Sequence, residues 1–144
     1  METWDAPARV RALPSWLVSQ VALQARNVVA RHFGAVGGHR TQFTMLAALA
    51  EFGPMSQADL GRRVGLDRSD VAAAVAALAA DGLLDRTPDP HDRRRNVVRV
   101  TTEGQVRLAA LDAAAHAAQD ELLAGLSTAE RDQLAALLAR VAGV

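Results

Sequence analysis

The sequence predicts a mostly α-helical fold carrying one small β-hairpin, and three observations predict it. Half of the residues are apolar, yet there are only three Phe, two Trp and no Tyr, so alanine, leucine and valine fill the core. Such a core reads as closely packed helices, because alanine is the strongest helix former and lets helix axes approach. Apolar residues recur at helical spacing through most of the chain, between capping residues and glycines. One stretch, 83–101, breaks that rhythm with two strand-like runs around a polar tip. At 144 residues the chain fits a single domain, 1–144, able to bury a core without disulfides or metal.

Each element follows from local signals. Residues 1–12 read as a loose arm, with Pro7 and Pro14 framing the start of structure. Pro14 suits the first turn of a helix, where its missing N–H costs nothing. Leu17, Val21, Val28 and Phe33 then return at helical spacing until Gly34, Gly37 and Gly38 end the run. A second helix spans about His39 to Phe52, with Phe43, Leu46, Ala47 and Leu49 inward, and stops at Gly53-Pro54. Ser56 caps a short helix that runs to Val64, closed by a left-handed turn at Gly65. Asp67-Arg68-Ser69-Asp70 caps a third helix, which continues to Asp81 and stops at Gly82. Two helices joined by a tight glycine turn form a helix-turn-helix.

Leu83–Thr87 and Asn96–Thr101 are extended, and the tip between them is rich in Pro, Asp and Arg. A hairpin directly after a helix-turn-helix is a wing. Thr101 or Thr102 caps a long helix with Val106, Leu108, Leu111, Ala115, Ala118 and Leu122 apolar. Ser127-Thr128-Ala129-Glu130 is a capping box that opens the last helix, which carries Leu134, Leu137, Leu138 and Val141. A winged helix-turn-helix at 39–101 is thus flanked by helical regions at 14–36 and 102–144. The compact middle has too little surface to cover the apolar faces of both flanks, so a second copy is the economical cover.

Composition excludes several functions. Net charge is zero, so bulk electrostatics gives no support for nucleic-acid binding and any such reading rests on where the arginines sit. All sixteen basic residues are arginine, which reads as coding bias. The absence of cysteine removes disulfides, thiolate zinc sites and thiol-oxidation switches together. Met1 to Pro14 holds Glu2, Asp5, Arg9 and Arg11 without an apolar signal core, and no stretch approaches the roughly 20 apolar residues of a membrane span. The expectation is a soluble, cytoplasmic protein. No nucleophile motif, phosphate loop or metal-spaced cluster appears, so an enzyme is not expected. Asp112 and His116 share a helix face, but two groups alone make a weak metal site. His91 lies at the wing tip and faces solvent or phosphate.

The candidate DNA surface follows from helix 67–81. Val71, Val75 and Leu78 share one face and point inward, leaving Ser69, Ala72, Ala73, Ala76 and Ala80 outside. Small side chains let a helix lie deep in the major groove, where an alanine methyl packs on a thymine methyl. Arg68 reaches phosphate or a guanine edge, and Ser69 donates or accepts. Asp70 either accepts from a cytosine amino group or satisfies free N–H groups at the helix start, and the capping role is favoured. Arg93, Arg94 and Arg95 concentrate charge on the wing, where an arginine gains from a narrow A·T-rich minor groove. Gln57, Arg62 and Arg63 lie on the preceding helix and suit phosphate contacts, which fix register without reading sequence. Arg86 on the wing strand suits a pairing with Asp67 or Asp85.

Three stretches together resemble the MarR family of bacterial transcriptional regulators. They are Leu60-Gly-Arg-Arg-Val-Gly-Leu-Asp-Arg-Ser69, Asp89-Pro-His-Asp-Arg-Arg-Arg-Asn-Val-Val-Arg-Val-Thr-Thr-Glu-Gly104, and Leu126-Ser-Thr-Ala-Glu-Arg-Asp-Gln-Leu134. The resemblance runs from about Ser15 to the C-terminus. It implies a homodimer whose first and last helices interlock, with two reading heads entering successive major grooves of a palindromic double-stranded DNA operator, about 34–36 Å apart. It implies that one of Arg93 and Arg94 enters the minor groove while the other, with Asp92, braces the wing, where Arg86 is a further candidate. It also implies no cofactor, but a small aromatic or phenolic effector bound between the two parts, near the helix break flanked by His32 and His39. Trp16, His32 and Phe43 are the candidate lining. The sequence departs from the family at Ala72 and Ala73, where members carry longer polar side chains. That bare face motivates a competing reading, a winged-helix protein-interaction module, and Asp112 with His116 motivates a metal-dependent regulator.

Overall fold

The computed structural model describes residues 5–144. Seven helices and three strands follow in the order α1 (Ala8–Arg11), α2 (Pro14–Ala35), α3 (Arg40–Phe52), β1 (Met55–Ser56), α4 (Gln57–Val64), α5 (Arg68–Ala80), β2 (Leu84–Pro88), β3 (Asn96–Val100), α6 (Thr102–Leu122) and α7 (Thr128–Ala142). The expected loose arm is in part ordered. Val10 and Arg11 donate their N–H groups to the Pro7 carbonyl to form the single turn of α1, and Ala6 is buried. The first four residues of that arm lie outside the described residues.

Local chemistry sets the helix ends. Pro14 occupies the first turn of α2. His39 caps α3, its Nδ1 accepting from the Gln42 N–H at 3.3 Å, so the helix proper starts one residue later than expected. Of the two threonines before α6, Thr101 is the cap. Its Oγ1 accepts from the Gly104 N–H at 3.0 Å and donates to the Gly82 carbonyl at 2.7 Å, which joins the end of α5 to the start of α6. Ser127 and Glu130 close a reciprocal capping box on α7.

The strands form a three-stranded antiparallel sheet in the order β1-β3-β2. The hairpin pairs Leu84 with Val100 through to Pro88 with Asn96. The third strand was not expected: Met55 and Ser56 pair with Val98 and Val97. Two residues carry no periodicity, and their partner lies some forty positions away, so no local signal marks them.

The core gathers Phe33, Met45, Leu46, Leu49, Leu60, Val71, Val75, Leu78, Leu84, Val98 and Leu111. The three inward residues of α5 are those its spacing predicts. On α3, Met45 and Ala48 are buried as well, because α4, α5, β3 and α6 surround that helix on more than one side. The flanking helices behave differently. Leu17 is 48% exposed and Val106 67%, and α7 buries no residue, leaving Leu137, Leu138 and Val141 open. Helix α2 packs along α6 and touches α1 and α3, while Leu17, Val18, Val21 and Leu23 stay exposed among the described residues.

Gly104 marks the tightest approach. A Cβ there would stand 2.2 Å from the Leu83 carbonyl oxygen and 2.7 Å from Val100 Cγ2. Gly34, on α2, has open space around it. Gly104→Ala should therefore destabilise the fold by about 3 kcal/mol, since backbone must move. Gly34→Ala should be neutral or stabilising by up to about 1 kcal/mol. Urea unfolding of both variants checks the contrast.

Candidate nucleic-acid interface

The reading head is built by two caps and two glycines. The Ser56 hydroxyl accepts from the Asp59 N–H at 3.1 Å and starts α4. Gly65, at φ 71°, turns the chain, and the Leu66 N–H returns to the Gly61 carbonyl at 2.9 Å. Gly61 lets α5 press close, for a Cβ there would lie 3.1 Å from Val71. Asp67 starts α5 by accepting from the Asp70 N–H at 2.8 Å. That bond, with the Ser69 hydroxyl beside it, holds the Asp67 carboxyl below its usual range. With Val71, Val75 and Leu78 buried, α5 turns Ser69, Ala73, Ala76 and Ala80 to solvent, with Ala72 half-buried at the edge. Arg68 and Asp70 are exposed at its start.

The wing tip is folded by its own aspartates. Asp89 Oδ1 accepts from the His91 N–H at 2.8 Å, and Asp92 Oδ1 accepts from the Arg94 N–H at 3.0 Å. Arg94 Nε lies 3.4 Å from the same Asp92 oxygen, though its side chain is 93% exposed. Arg93 is exposed and forms no hydrogen bond or ion pair among the described residues. Arg95, also expected as a DNA contact, lies at the root of the wing. It turns back to the body of the head, Nη2 donating to Ser56 Oγ at 3.1 Å and lying 3.9 Å from Asp59 Oδ2. Arg86, expected to brace the wing through Asp67 or Asp85, pairs with neither. Adjacent residues on a strand point to opposite faces, which separates Arg86 from Asp85, and the Asp67 carboxylate is already engaged in capping α5. The brace is Arg95.

Asp59 is the centre of this arrangement. The Ser56 hydroxyl, then the nearby Arg62 and Arg95, pull its carboxyl below the usual range. Arg62 forms an ion pair with Asp59 within α4. Arg63 points elsewhere, its guanidinium 4.1 Å above the Phe52 ring. Between α4, α5 and the wing lies an open cleft of about 490 Å³, lined among others by Gln57, Arg62, Arg68, Arg94, Arg95 and Asn96. Four arginines thus line one cleft beside the exposed helix, three of them also held against Asp59 or Asp92. The sequence offered no sign of the Ser56–Asp59–Arg95 link, which joins residues 39 positions apart.

The expected pocket lining is not brought together. The Phe43 ring packs on Phe33 with centroids 5.3 Å apart, His32 Nε2 lies 3.5 Å from Glu121 Oε1 on α6, and Trp16 sits in the first turn of α2. A different concavity, of about 740 Å³, opens between the middle of α2 and the start of α3, lined by Ala22, Arg26, Val29, His39, Arg40 and Thr41 among others. The available signal was Arg26 standing at helical spacing among Ala22, Ala25, Val29 and Ala30. Of the other histidines, His116 bonds through Nδ1 to the Asp112 main-chain oxygen at 2.7 Å, not to its carboxylate. Among the described residues no three metal-ligating side chains converge, and no helix is long and apolar enough to cross a membrane.

Comparison with known proteins agrees with this geometry. The profile of the MarR family matches residues 37–95, from the start of the reading head to the wing tip. The chain is 33% identical over 100 residues to the HTH-type transcriptional repressor NicR of Pseudomonas putida, a match covering 69% of this chain and 63% of that protein. The PcaV transcriptional regulator of Streptomyces coelicolor is similar in structure, with a TM-score of 0.78 and 30% identity over 92% of this chain and 96% of that one. PcaV has also been solved in complex with its natural ligand. The transcriptional repressor CouR, bound to a 23-mer DNA duplex, superposes with a TM-score of 0.84 at 25% identity, covering 94% of this chain and 96% of that one. The chain spans about three fifths of the length of the first curated relatives it matches. These relatives are transcriptional regulators, not enzymes.

The depressed Asp59 carboxyl fixes the sign of an acid effect. Its folded value lies below the ordinary 3.8, so the charged form stabilises the native state above that value, and the contribution is lost as pH falls through the folded value. Asp59→Asn should be less stable than the parent at pH 6, and the gap should shrink as pH falls below the ordinary carboxylate value of 3.8. Urea titrations of both proteins across that range measure it.

Proposed function

The chain belongs to the MarR family of transcriptional regulators, and from that premise we propose that it is a homodimeric repressor reading a palindromic operator in double-stranded DNA. The observation that carries this reading is the cleft lined by Arg62, Arg68, Arg94 and Arg95 beside the exposed side of α5. A helix of that girth enters the major groove, and the guanidinium groups around it neutralise the flanking phosphates. Arg93, uncommitted at the wing tip, takes the adjacent minor groove. NicR and CouR are both named as repressors, and CouR is seen on DNA, which supports the same role here. A protein of this kind works in the cytoplasm, where its operator is.

The dimer is supported by the faces left open. Regions 14–36 and 102–144 leave Leu17, Val18, Val21, Leu137, Leu138 and Val141 exposed, apolar side chains that a partner would cover. A second copy covering both flanks sets the two heads at a fixed spacing. Selection of bound duplexes from a randomised pool at two salt concentrations tests both parts. Enrichment of an inverted repeat with half-sites about one helical turn apart is expected. Retention without any enriched sequence, lost at higher salt, would replace this reading with the protein-interaction module.

The concavity between α2 and α3 is the proposed effector site. Arg26 and Arg40 set two cations beside apolar Ala22 and Val29, which suits a small aromatic carrying a carboxylate, and PcaV's capture with its natural ligand supports a small-molecule role. His39 lines this site and also caps α3, so an occupant acts directly on the helix that bears the core of the reading head.

Two outcomes follow. Arg93→Ala should weaken operator binding by roughly tenfold and reduce the slope of log K against log salt by about 1, measured by fluorescence anisotropy. Benzoate-type acids should raise the melting temperature and release operator, whereas their uncharged amides should not. Arg26→Ala should abolish both effects, and equal responses to acid and amide would remove the anionic assignment.

A further inference from the structure

We propose that Asp70 reads sequence, its carboxylate accepting from the N4 amino group of a cytosine in the operator's major groove. The inference rests on the DNA-binding reading above and adds the base that this residue selects.

The start of α5 carries four polar side chains, Asp67, Arg68, Ser69 and Asp70. Asp67 is committed, because its Oδ1 accepts both the Asp70 N–H at 2.8 Å and the Ser69 hydroxyl at 3.0 Å. Ser69 is committed by the same bond. Arg68 lines the cleft with the wing arginines and can only donate. Sequence favoured a capping role for Asp70, yet the structure gives the cap to Asp67, with Asp70 supplying its N–H and its side chain lying against the Asp67 carboxyl. The Asp70 side chain is exposed, and among the described residues it accepts no backbone N–H and pairs with no cation. It sits instead beside the Asp67 carboxylate. From Val71 to Ala80 every side chain is Val, Ala or Leu, so the rest of the helix offers a base edge nothing but methyl groups.

A carboxylate without a cation beside it is a costly thing to bring between two strands of phosphate, and its neighbour Asp67 adds to that cost. The cost is recovered only where a donor is met. In the major groove guanine presents N7 and O6, thymine presents O4, and adenine sets its N7 acceptor beside the N6 amino group. Cytosine alone presents a donor without an acceptor next to it. Asp70 therefore meets acceptors alone at guanine and thymine, a donor beside an acceptor at adenine, and its best match at cytosine. The alanines behind it let the helix approach closely enough for a short side chain to reach.

The test repeats the randomised-duplex selection with the parent, Asp70→Asn and Asp70→Ala, with urea unfolding of each protein alongside. The parent should enrich a C·G pair at one symmetry-related position in each half-site. Asp70→Asn should switch that pair to A·T, because a carboxamide both donates and accepts and so matches adenine N6 and N7. Asp70→Ala should lose the preference there by roughly five- to a hundredfold while keeping the rest of the operator. Two results overturn the inference and leave the regulator reading intact. If both variants keep the parental operator with affinity raised equally on all sequences, the carboxylate merely repels phosphate. If affinity falls equally on all sequences together with stability, it serves only the helix dipole. If the parent enriches no inverted repeat, the DNA-reading premise itself fails, and the inference fails with it.

Discussion

Ser56 has a buried hydroxyl that serves three elements at once, and the geometry of the whole DNA-facing side depends on it. It caps α4 by accepting from the Asp59 N–H, sits in β1 opposite Val97 of β3, and accepts from Arg95 at the root of the wing. Asp59 doubles the tie, since its carboxylate faces both Arg62 and Arg95. A hairpin on its own is marginal in water. Here the third strand and the Arg95 brace fix its direction relative to α4, and through Gly61 and Val71 relative to α5. The spacing between reading helix and wing is therefore a property of one small polar knot.

A second set of polar ties joins this head to the flanking helices. Arg107 on α6 donates to the Gly37 carbonyl at 2.6 Å and lies 3.3 Å from Oε1 of Gln42, which is buried. Gly38 is pressed so closely against Gln42 and Leu111 that a Cβ would meet both within 2.7 Å. Lower along the same pair of helices, Arg31 and Glu121 form a two-bonded ion pair. Helix α2 is thus anchored to α6 at two points, and the turn that leads from it into α3 is clamped from the side. The proposed effector concavity borders this turn through His39, Arg40 and Thr41. A ligand there has a short mechanical path to the head: it acts on the cap of α3, whose buried face is the floor of the reading unit.

What the sequence made legible is what local chemistry decides. Caps at Ser56, Asp67 and Ser127, the glycine turn at Gly65 and the inward triplet of α5 all depend on residues within four positions of one another. The wing as a hairpin was legible for the same reason. The identity of its brace was not, because strand parity separates Arg86 from Asp85, and only folding brings Arg95 to Ser56. The concavity proposed for an effector was not legible for a related reason. Aromatic residues at Trp16 and Phe43 drew attention as lining, whereas Phe43 fills core volume beside Phe33 and the concavity is walled by alanines and arginines from two helices. Leu17 and Val106 were read as apolar at helical spacing, which is correct, but periodicity states that a face is apolar and not which chain covers it.

Zero net charge takes on meaning once the arginines are placed. Arg31, Arg62, Arg94, Arg95 and Arg131 each stand against a carboxylate, and the acids Asp59, Asp67, Asp70 and Asp92 sit within the proposed contact surface itself. Non-specific DNA binding is driven by phosphate neutralisation, so a surface whose cations are already half-balanced gains little from duplex of arbitrary sequence. The same carboxylates help hold the arginines in fixed directions, which matters for fit at an operator and is of no use for diffuse attraction. What counts for occupancy is the ratio of specific to non-specific affinity, not the absolute strength of either. A regulator can raise that ratio by adding base contacts or by lowering its background. With a reading helix made mostly of methyl groups, this chain has few base contacts to add, and its interleaved acids act on the background instead.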